Sequence, residues 1–243
     1  MTTHDPDDQE NDMTSLQNQT VLVTGANRGM GRHYIPQLLD RGVAKVYAAA
    51  RDPRLITVTD PRVVPMELDV TDENSASAAA SVATDVSVLI NNAGIIRGAS
   101  VLDRDSTKLR EELDTNLFGP LALASAFAEQ IARKGGAIVN VASVLSWLPV
   151  GASYGVSKAA VWSATDSMRL ELAPRGVQVL GVYVGLVDTD MASFSDSPKS
   201  DPADVVRQVL DGIEAGADEV LADEFTRSVR AQLNLPVGQR RLG

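Results

Sequence analysis

The sequence has no cysteine, and its two histidines, His4 and His33, lie far apart along the 243 residues. Without cysteine there is no disulfide bond, no thiolate nucleophile and no cysteine-ligated zinc. Two distant histidines also argue against a histidine-based triad or a metal cage, so we expect no metal site. The chemistry must therefore come from other residue types.

Long apolar runs and basic segments are missing as well. No run of 18 apolar residues occurs, so we expect no transmembrane helix and no membrane partner. The net charge is −10 at pH 7 without a basic stripe, which argues against nucleic-acid binding. Residues 1–13 hold five acidic residues and no Lys or Arg, unlike the start of a signal peptide. We expect a soluble, cytoplasmic protein in which residues 1–18 are a disordered acidic segment.

What the sequence does contain is an alternation of short β-branched runs with longer segments of helical periodicity. Strands are predicted at 20–24, 44–50, 62–68, 86–92, 136–143, 176–185 and 218–223. Helices are predicted from a glycine-rich turn to about Asp40, and at 71–83, 104–133, 153–173 and 202–214. Pro65 interrupts the third strand, and either Thr71 or Asp72 caps the second helix.

Strands that are apolar on both faces and alternate with helices predict a parallel sheet covered on both sides. We therefore expect an α/β fold, a single-domain Rossmann-type doubly wound sheet of about seven strands that covers residues 19–243. In such sheets the ligand binds beyond the carboxyl ends of the strands. This places the ends of strands one, two, four, five and six around one crevice.

The first strand runs into the glycine-rich stretch TGANRGMG, residues 24–31. Gly25, Gly29 and Gly31 allow a tight turn, a close approach to a pyrophosphate and the packing of a helix against the sheet. Their spacing differs from the GxGxxG fingerprint, but the same physical roles fit. The stretch predicts nucleotide binding, and the alternative is a tight turn without a ligand.

The end of the second strand distinguishes the possible nucleotides. An NAD site usually has an acidic residue there for the ribose 2′-hydroxyl, whereas this strand is followed by Arg51. Arg28 lies in the glycine turn, and two guanidiniums at the ribose suit a 2′-phosphate. Asp52 could instead neutralise Arg51 or accept the hydroxyl, and either arginine alone could be a solvated surface charge. The pair predicts NADP(H) rather than NAD.

Tyr154 and Lys158 are separated by one helical turn, which puts both side chains on one face of the predicted helix. On a solvated helix this spacing has no meaning. In this chain, however, the pair belongs to one of several stretches that together form one pattern. These are TGANRGMG, LDVT (68–71), NNAG (91–94), DTNLFGP around Asn116, VASV, YGVSK and GLVDT. In this order they resemble the short-chain dehydrogenase/reductase family over about residues 19–230.

The resemblance implies a catalytic group of Asn116, Ser143, Tyr154 and Lys158. Tyr154 is then the acid in reduction and the base in oxidation, with its pKa lowered by Lys158, which also binds the nicotinamide ribose. Ser143 gives a second hydrogen bond to the carbonyl oxygen, where negative charge develops. Asn116 holds a water in a proton relay behind Lys158.

The resemblance also implies where the two ligands lie. The cofactor site comprises Gly25, Asn27, Arg28, Gly29, Met30, Gly31, Arg51, Asp69, Val70, Asn92, Ala93, Gly94, Tyr154, Lys158, Gly185, Val187 and Thr189. The predicted substrate pocket has an apolar wall made of Ile96, Val144, Leu145, Trp147, Val150, Leu186, Met191 and Phe194, with a short substrate loop near 188–201.

Two departures from the family pattern are visible. Only ten residues separate Ser143 from Tyr154, fewer than the family more often has, so the loop between them is tight and Ser146 is a poor substitute for Ser143. Val184 stands where the family usually has proline, and because valine lacks the fixed φ of proline, the following loop to Thr189 is expected to be less rigid.

The sequence therefore predicts an NADP-dependent carbonyl reductase or alcohol dehydrogenase that acts on an uncharged, largely apolar ketone or secondary alcohol. The alternative is a non-catalytic nucleotide-binding sensor or scaffold with the same fold. The helices at 104–133 and 153–173 carry apolar and small residues on more than one face. With the resemblance, this predicts a homodimer or homotetramer built on these helices, with Trp162 in the interface.

Overall fold

The computed structural model of the chain describes residues 15–240, so the predicted disordered segment falls largely outside the described residues. Leu16, at the end of that segment, is fully buried in the core beside β1. The packed domain thus begins a few residues before position 19.

One sheet of seven parallel strands organises the fold, in the order β3-β2-β1-β4-β5-β6-β7. The strands are β1 (Thr20–Thr24), β2 (Lys45–Ala50), β3 (Val63–Glu67), β4 (Val88–Asn91), β5 (Ala137–Val141), β6 (Gln178–Tyr183) and β7 (Glu219–Leu221). The order reverses between β1 and β4, and this reversal opens a crevice at their carboxyl ends. The predicted fold class is confirmed.

Helices cover both faces of the sheet. They are α1 (Gly29–Asp40), α2 (Glu73–Val82), α3 (Thr107–Leu113), α4 (Gly119–Ala132), α5 (Ala152–Leu172), α6 (Pro202–Glu214) and α7 (Glu224–Ala231). Within residues 15–240, none of these helices combines the length and the apolar character needed to cross a bilayer.

Alternation along the strands divides the core into two layers. Val21 and Val23 of β1 face one side and pack in a cluster that includes residues of α1 and α6. Leu22 faces the other side, in a cluster that includes Phe127 of α4 and residues of α2. Because both faces of β1 are apolar and buried, the strand lies in the middle of the sheet, as its continuous apolar run predicts.

Three details differ from the sequence-based prediction. The third strand continues through Pro65, because β3 lies at the edge of the sheet, where a missing N–H costs no ladder bond. The long helix at 104–133 is two helices joined by a π-helical turn, Asp114–Phe118. Helix α7 was not predicted, although Asp223 caps its first turn by accepting a hydrogen bond from the Thr226 N–H.

Candidate active site

The glycine-rich turn joins β1 to α1 in the geometry that its sequence predicts. Gly25 and Gly29 have φ values of +65° and +51°, in the left-handed region that favours glycine. At Gly31 a Cβ atom would lie 1.9 Å from the Gly25 carbonyl oxygen, so only glycine fits where α1 packs on the turn. The turn thus points backbone N–H groups at the start of α1 toward the crevice, an arrangement that binds anions.

The two arginines that were predicted to read a ribose phosphate both line the cleft. The side chains of Arg28 and Arg51 are exposed, and neither forms a hydrogen bond or ion pair with any residue between 15 and 240. Asp52 pairs instead with Arg54, through contacts of 2.8 and 3.0 Å, so it does not neutralise Arg51. The guanidinium of Arg51 is therefore available to an anionic ligand.

Asp69 follows β3 and also lines the cleft. Its Oδ1 accepts hydrogen bonds from the backbone N–H and the hydroxyl of Thr71, at 3.0 and 2.8 Å. These bonds, with the charge of Arg51 nearby, lower the pKa of Asp69 below its ordinary value. Asp69 is therefore a carboxylate at neutral pH, and it holds the loop after β3 in place.

The NNAG segment connects the ends of β1 and β4. Asn92 donates from its side chain to the Thr24 carbonyl oxygen at 2.8 Å, and the Thr24 hydroxyl accepts from the N–H groups of Asn92 and Ala93. Asn91 donates to Asn140 of β5 at 2.9 Å. These buried amide contacts hold three strand ends together at the floor of the crevice.

A single cleft of about 1300 Å³ runs over these strand ends. It is larger than the roughly 300–1000 Å³ of an ordinary small-molecule site, which leaves room for two ligands. Of the predicted cofactor residues, only Gly31 does not line it, because Gly31 is buried behind the turn. Ser143, Tyr154 and Lys158 line the same cleft, whereas Asn116 lies behind its wall.

Tyr154 and Ser143 lie close together on the cleft wall. Burial raises the pKa of the Tyr154 phenol above its ordinary value, while its hydrogen-bonding interaction with the Ser143 hydroxyl opposes the rise. Ser143 also accepts from the Leu145 N–H and donates to the Val184 carbonyl oxygen, at 3.1 and 3.3 Å. The serine oxygen is thereby fixed beside the phenol.

Lys158 is nearly inaccessible to solvent, with 4% of its surface exposed, and its ammonium donates to the Val141 carbonyl oxygen at 2.7 Å. Its nitrogen lies 5.7 Å from the centre of the Tyr154 ring. Burial lowers the pKa of Lys158 to about 8. Because burial disfavours the charged form of each group, the lowering of the Tyr154 pKa by Lys158 stays a prediction.

Asn116 occupies the π-helical turn between α3 and α4. Its carboxamide accepts from the Ile95 N–H at 2.9 Å, and donates to the Ile95 carbonyl oxygen and to the Ser157 hydroxyl at 3.0 and 2.9 Å. The side chain thereby ties α5 and the loop after β4 to the turn. A π-helical turn is typical of functional positions, because it interrupts the regular hydrogen bonding of the helix.

Two residues that were predicted to line the substrate pocket lie elsewhere. Trp147 is buried and stacks on Tyr183, with ring centres 4.4 Å apart, and it makes an edge contact with Trp162. Its ring packs in an apolar cluster that includes Val229 of α7, so it does not face the cleft. Val150 is 70% exposed and lies outside the cleft. The other predicted wall residues line the cleft: Ile96, Val144, Leu145, Leu186, Met191 and Phe194.

The short loop between Ser143 and Tyr154 has local consequences. Ser146 turns away from the cleft and donates to the Lys158 carbonyl oxygen at 2.9 Å, so it does not face a ligand as Ser143 does. Ala152, the first residue of α5, has a φ of +47°, which is unusual for a residue with a side chain. The short loop is therefore accommodated by an unusual backbone conformation at Ala152.

Asp223 and Phe225, at the start of α7, line the cleft and were missed from the sequence. The carboxylate of Asp223 accepts from the Gly185 N–H at 2.7 Å, which anchors the loop after β6 at the position where proline is replaced by Val184. The available signal was an acidic residue before a short segment of helical periodicity, a typical N-cap. Its contact with Gly185, 38 residues away in sequence, is a tertiary property.

The profile of the short chain dehydrogenase family matches residues 19–200, three quarters of the chain and every stretch described above except the start of α7. The chain belongs to this family. A short-chain dehydrogenase from Burkholderia cenocepacia J2315, solved in complex with NADP, is 39% identical to it. That structure superimposes with a TM-score of 0.87 over 91% of this chain and 95% of the other. A short-chain dehydrogenase from Sphingobium yanoikuyae, solved with NADPH, is 26% identical, with a TM-score of 0.74 over 83% and 86%.

Two curated fungal proteins are also similar. An NADPH-dependent 1-acyldihydroxyacetone phosphate reductase of Schizosaccharomyces pombe is 33% identical over 181 residues, 71% of this chain. The short-chain dehydrogenase virD of Hypocrea virens is 34% identical over 180 residues, 70% of this chain. The alignments span 61% and 62% of the length of those two relatives. The family is that of oxidoreductases, and the finer activity is argued next.

Proposed function

We propose that this protein transfers hydride between NADP(H) and an uncharged, largely apolar ketone or secondary alcohol. The observation that carries the proposal is the placement of Tyr154, Ser143 and Lys158 in one cleft with the glycine turn and with two arginines, whose side chains have no partner among residues 15–240. A protein that only binds a nucleotide has no use for a half-buried phenol beside a serine hydroxyl and a buried lysine. This argues against the alternative of a non-catalytic sensor.

The residues of the cleft fit NADP(H). A pyrophosphate suits the turn at which α1 begins, where Gly31 leaves no space for a side chain but Gly29 leaves the backbone accessible. Arg51 and Arg28 suit a 2′-phosphate. The complexes of the Burkholderia cenocepacia and Sphingobium yanoikuyae structures with NADP and NADPH support the same cofactor. When bound, the nicotinamide supplies or accepts the hydride.

Tyr154 is proposed to exchange a proton with the substrate oxygen. Because burial raises its pKa, the phenol is protonated at neutral pH and can donate to a carbonyl oxygen as negative charge develops there. Ser143 offers a second donor to the same oxygen once its hydroxyl turns from the Val184 carbonyl. Two donors on one oxygen select the carbonyl group and orient it.

Lys158 is proposed to bind the nicotinamide ribose and to return a proton to Tyr154. Its pKa of about 8 allows it both to hold and to release a proton near neutral pH. Asn116, whose carboxamide is bonded to Ile95 and Ser157, keeps α5 at a fixed distance from the loop after β4. A water held near Asn116 remains our proposal for the next member of the proton relay.

Apolar side chains dominate the proposed substrate end of the cleft, although Asp190 and Lys199 also line it. Leu186, Met191 and Phe194 line it from the loop after β6, and Phe225 lines it from α7. The guanidinium of Arg97 is engaged by Glu111 at 2.6 Å, so this positive charge is already paired. These side chains favour an uncharged aromatic or alicyclic ketone over a carboxylate or phosphate ester.

The deciding experiment is a panel of ketones and secondary alcohols, assayed with NADPH and NADH, with and without enzyme. We expect oxidation of NADPH with at least one apolar ketone. Tight NADPH binding with no turnover of any compound would favour the sensor instead. Turnover of charged ketones alone would contradict the proposed substrate class.

Replacing Arg51 by alanine is expected to weaken NADPH binding and to change NADH binding little. Removal of a charge-assisted hydrogen bond to a phosphate costs about 1.5–3 kcal/mol, which corresponds to roughly a ten- to hundredfold loss of affinity. Fluorescence titration with both cofactors measures the effect. Arg54→Ala is the matched control, because Arg54 is bound to Asp52. Equal losses for both cofactors would show that Arg51 does not read the 2′-phosphate.

We also propose that the protein is a dimer or tetramer built on α4 and α5. Phe118, which precedes α4, and Val156 and Leu170 of α5 are large apolar side chains with 55%, 44% and 79% of their surface exposed. Trp162 contacts Trp147 within the chain, so changing it would also disturb the fold. Phe118 and Val156 are therefore the cleaner positions to test.

Val156→Glu is expected to reduce the molar mass measured by light scattering at micromolar concentration, because a charge would be buried at the interface. Val82→Glu is the control, since Val82 is 71% exposed and belongs to α2, which is neither of the two proposed interface helices. A wild-type protein that is monomeric at this concentration would contradict the assembly and leave the proposed chemistry intact.

A further inference from the structure

Asp223, just before α7, is a carboxylate of the cleft that the mechanism above does not use. Its Oδ1 accepts from the Thr226 N–H at 2.7 Å, as the side chain of an N-cap does. Its Oδ2 accepts from the Gly185 N–H, also at 2.7 Å. The cap of α7 needs only one carboxylate oxygen, so the contact of the second oxygen with the loop after β6 calls for a separate explanation.

The N–H of Gly185 belongs to a peptide group that also contacts the proposed catalytic serine. The carbonyl of this group is that of Val184. It accepts from the Ser143 hydroxyl at 3.3 Å and from the Val144 N–H at 3.0 Å. The N–H and C=O of a planar trans peptide point in opposite directions, so fixing one of them fixes the other. Asp223 therefore sets the direction of the carbonyl that holds the serine hydroxyl.

The backbone that carries Asp223 is itself held on both sides. The N–H of the preceding residue, Ala222, donates to the Tyr183 carbonyl oxygen at 3.0 Å, next to the pairing of β6 with β7. The Ala222 carbonyl oxygen accepts from the Gln208 side chain of α6, also at 3.0 Å. Because Ala222 is buried and bonded through both of its backbone groups, Asp223 is a fixed point from which the Gly185 N–H is held.

The direction of the Val184 carbonyl matters for the proposed reaction. Ser143 must place its hydroxyl within reach of the same substrate oxygen that meets Tyr154, and a catalytic contact of this kind depends steeply on position. A misplacement of about 1 Å can cost roughly a hundredfold in rate. A peptide group that is free to rotate would let the serine hydroxyl follow it.

We propose that Asp223 is a positioning residue of this active site, which orients the Val184–Gly185 peptide and thereby holds the Ser143 hydroxyl in place. The inference rests on the proposed function, because Ser143 acts there as a donor to the substrate oxygen. Each carboxylate oxygen has its own role. Oδ1 caps α7, and Oδ2 orients the peptide.

Asp223→Asn separates these two roles without changing the size of the side chain. Asparagine is a preferred N-cap, so its amide oxygen can still accept from the Thr226 N–H. Its NH₂ group then faces the Gly185 N–H and cannot accept from it. We expect kcat for ketone reduction to fall about tenfold, a size typical of residues coupled in one hydrogen-bond network. Asp223→Ser, a cap too short to reach Gly185 as well, should have the same effect.

The decisive measurement compares this loss in two backgrounds. If Asp223 acts through Ser143, Asp223→Asn should lower kcat about tenfold in the wild type but less than about twofold in Ser143→Ala. A substitution that only disturbed the fold would lower kcat by the same factor in both backgrounds. Single-turnover oxidation of NADPH with excess enzyme keeps the slow Ser143→Ala reaction measurable.

Glu224→Gln is the matched control, because Glu224 is the adjacent acid and its side chain contacts Arg227. Its kcat should equal that of the wild type. An unchanged kcat in Asp223→Asn and Asp223→Ser, or equal losses in the two backgrounds, overturns the inference. If neither variant folds, the role of Asp223 is structural and the inference is overturned as well. A wild-type protein inactive on the whole ketone panel overturns the proposed function together with this inference.

Discussion

Replacing Tyr154 by phenylalanine is expected to abolish carbonyl reduction while leaving NADPH binding largely intact. The substitution removes one hydroxyl and keeps the ring, so the cleft beside Ser143 keeps its shape. General acid–base catalysis contributes about 10²–10⁴-fold to a rate, and kcat should fall by at least this amount. The measurement is kcat with the best ketone of the panel, together with fluorescence titration of NADPH.

Two serine variants provide the comparison for Tyr154. Ser143→Ala removes the hydroxyl beside the phenol and should also lower kcat strongly. Ser146→Ala should leave kcat nearly unchanged, because Ser146 faces the Lys158 carbonyl and not the cleft. A Tyr154→Phe enzyme with nearly wild-type kcat would falsify the proposed proton transfer.

Gly31→Ala is expected to disrupt the cofactor turn. The added Cβ would lie 1.9 Å from the Gly25 carbonyl oxygen and 2.9 Å from the Asn92 amide nitrogen. The contact with Gly25 is with backbone, so α1 must move away from β1, and overpacking of this kind costs typically about 1–3 kcal/mol. We expect a lower melting temperature and loss of NADPH binding, measured by thermal unfolding and fluorescence titration.

Gly238→Ala is the control for this substitution. Gly238 is exposed, and a Cβ added there would meet nothing within 4 Å. Its melting temperature and NADPH affinity should match the wild type. Wild-type affinity in Gly31→Ala would show that α1 can shift without disturbing the phosphate-binding turn, and the role given to Gly31 would be wrong.

Much of the fold could be predicted because the signals are local. The apolar run at 20–24 matches β1 residue for residue, and α6 occupies the predicted 202–214. Asp72 proved to be the cap of α2, and its side chain accepts from the Asn74 N–H. Periodicity, caps and glycine turns depend on neighbours a few residues apart, which a sequence displays directly.

The motifs of the site could be located for the same reason, but their partners could not. Spacing puts Tyr154 and Lys158 on one helical face, yet it does not show that Lys158 is buried enough to have a pKa of about 8. Likewise, the position of Trp147 in the sequence, shortly before Tyr154, does not show that its ring stacks on Tyr183 instead of facing the cleft. Burial depends on the packing of distant segments.

The sequence by itself determined the seven-stranded α/β fold, the family and the side chains that carry the proposed chemistry, because each depends on residue type and short-range spacing. Only the tertiary structure decided the pairing of Asp52 with Arg54, the contact of Asp223 with Gly185 and the burial of Glu112 under the loop after β4. In the last two cases a carboxylate is held by backbone N–H groups that are 14 to 38 residues away. A carboxylate gains hydrogen-bond partners this distant in sequence only when tertiary packing brings them together. The strength of those hydrogen bonds then depends on their geometry and on how deeply they are buried.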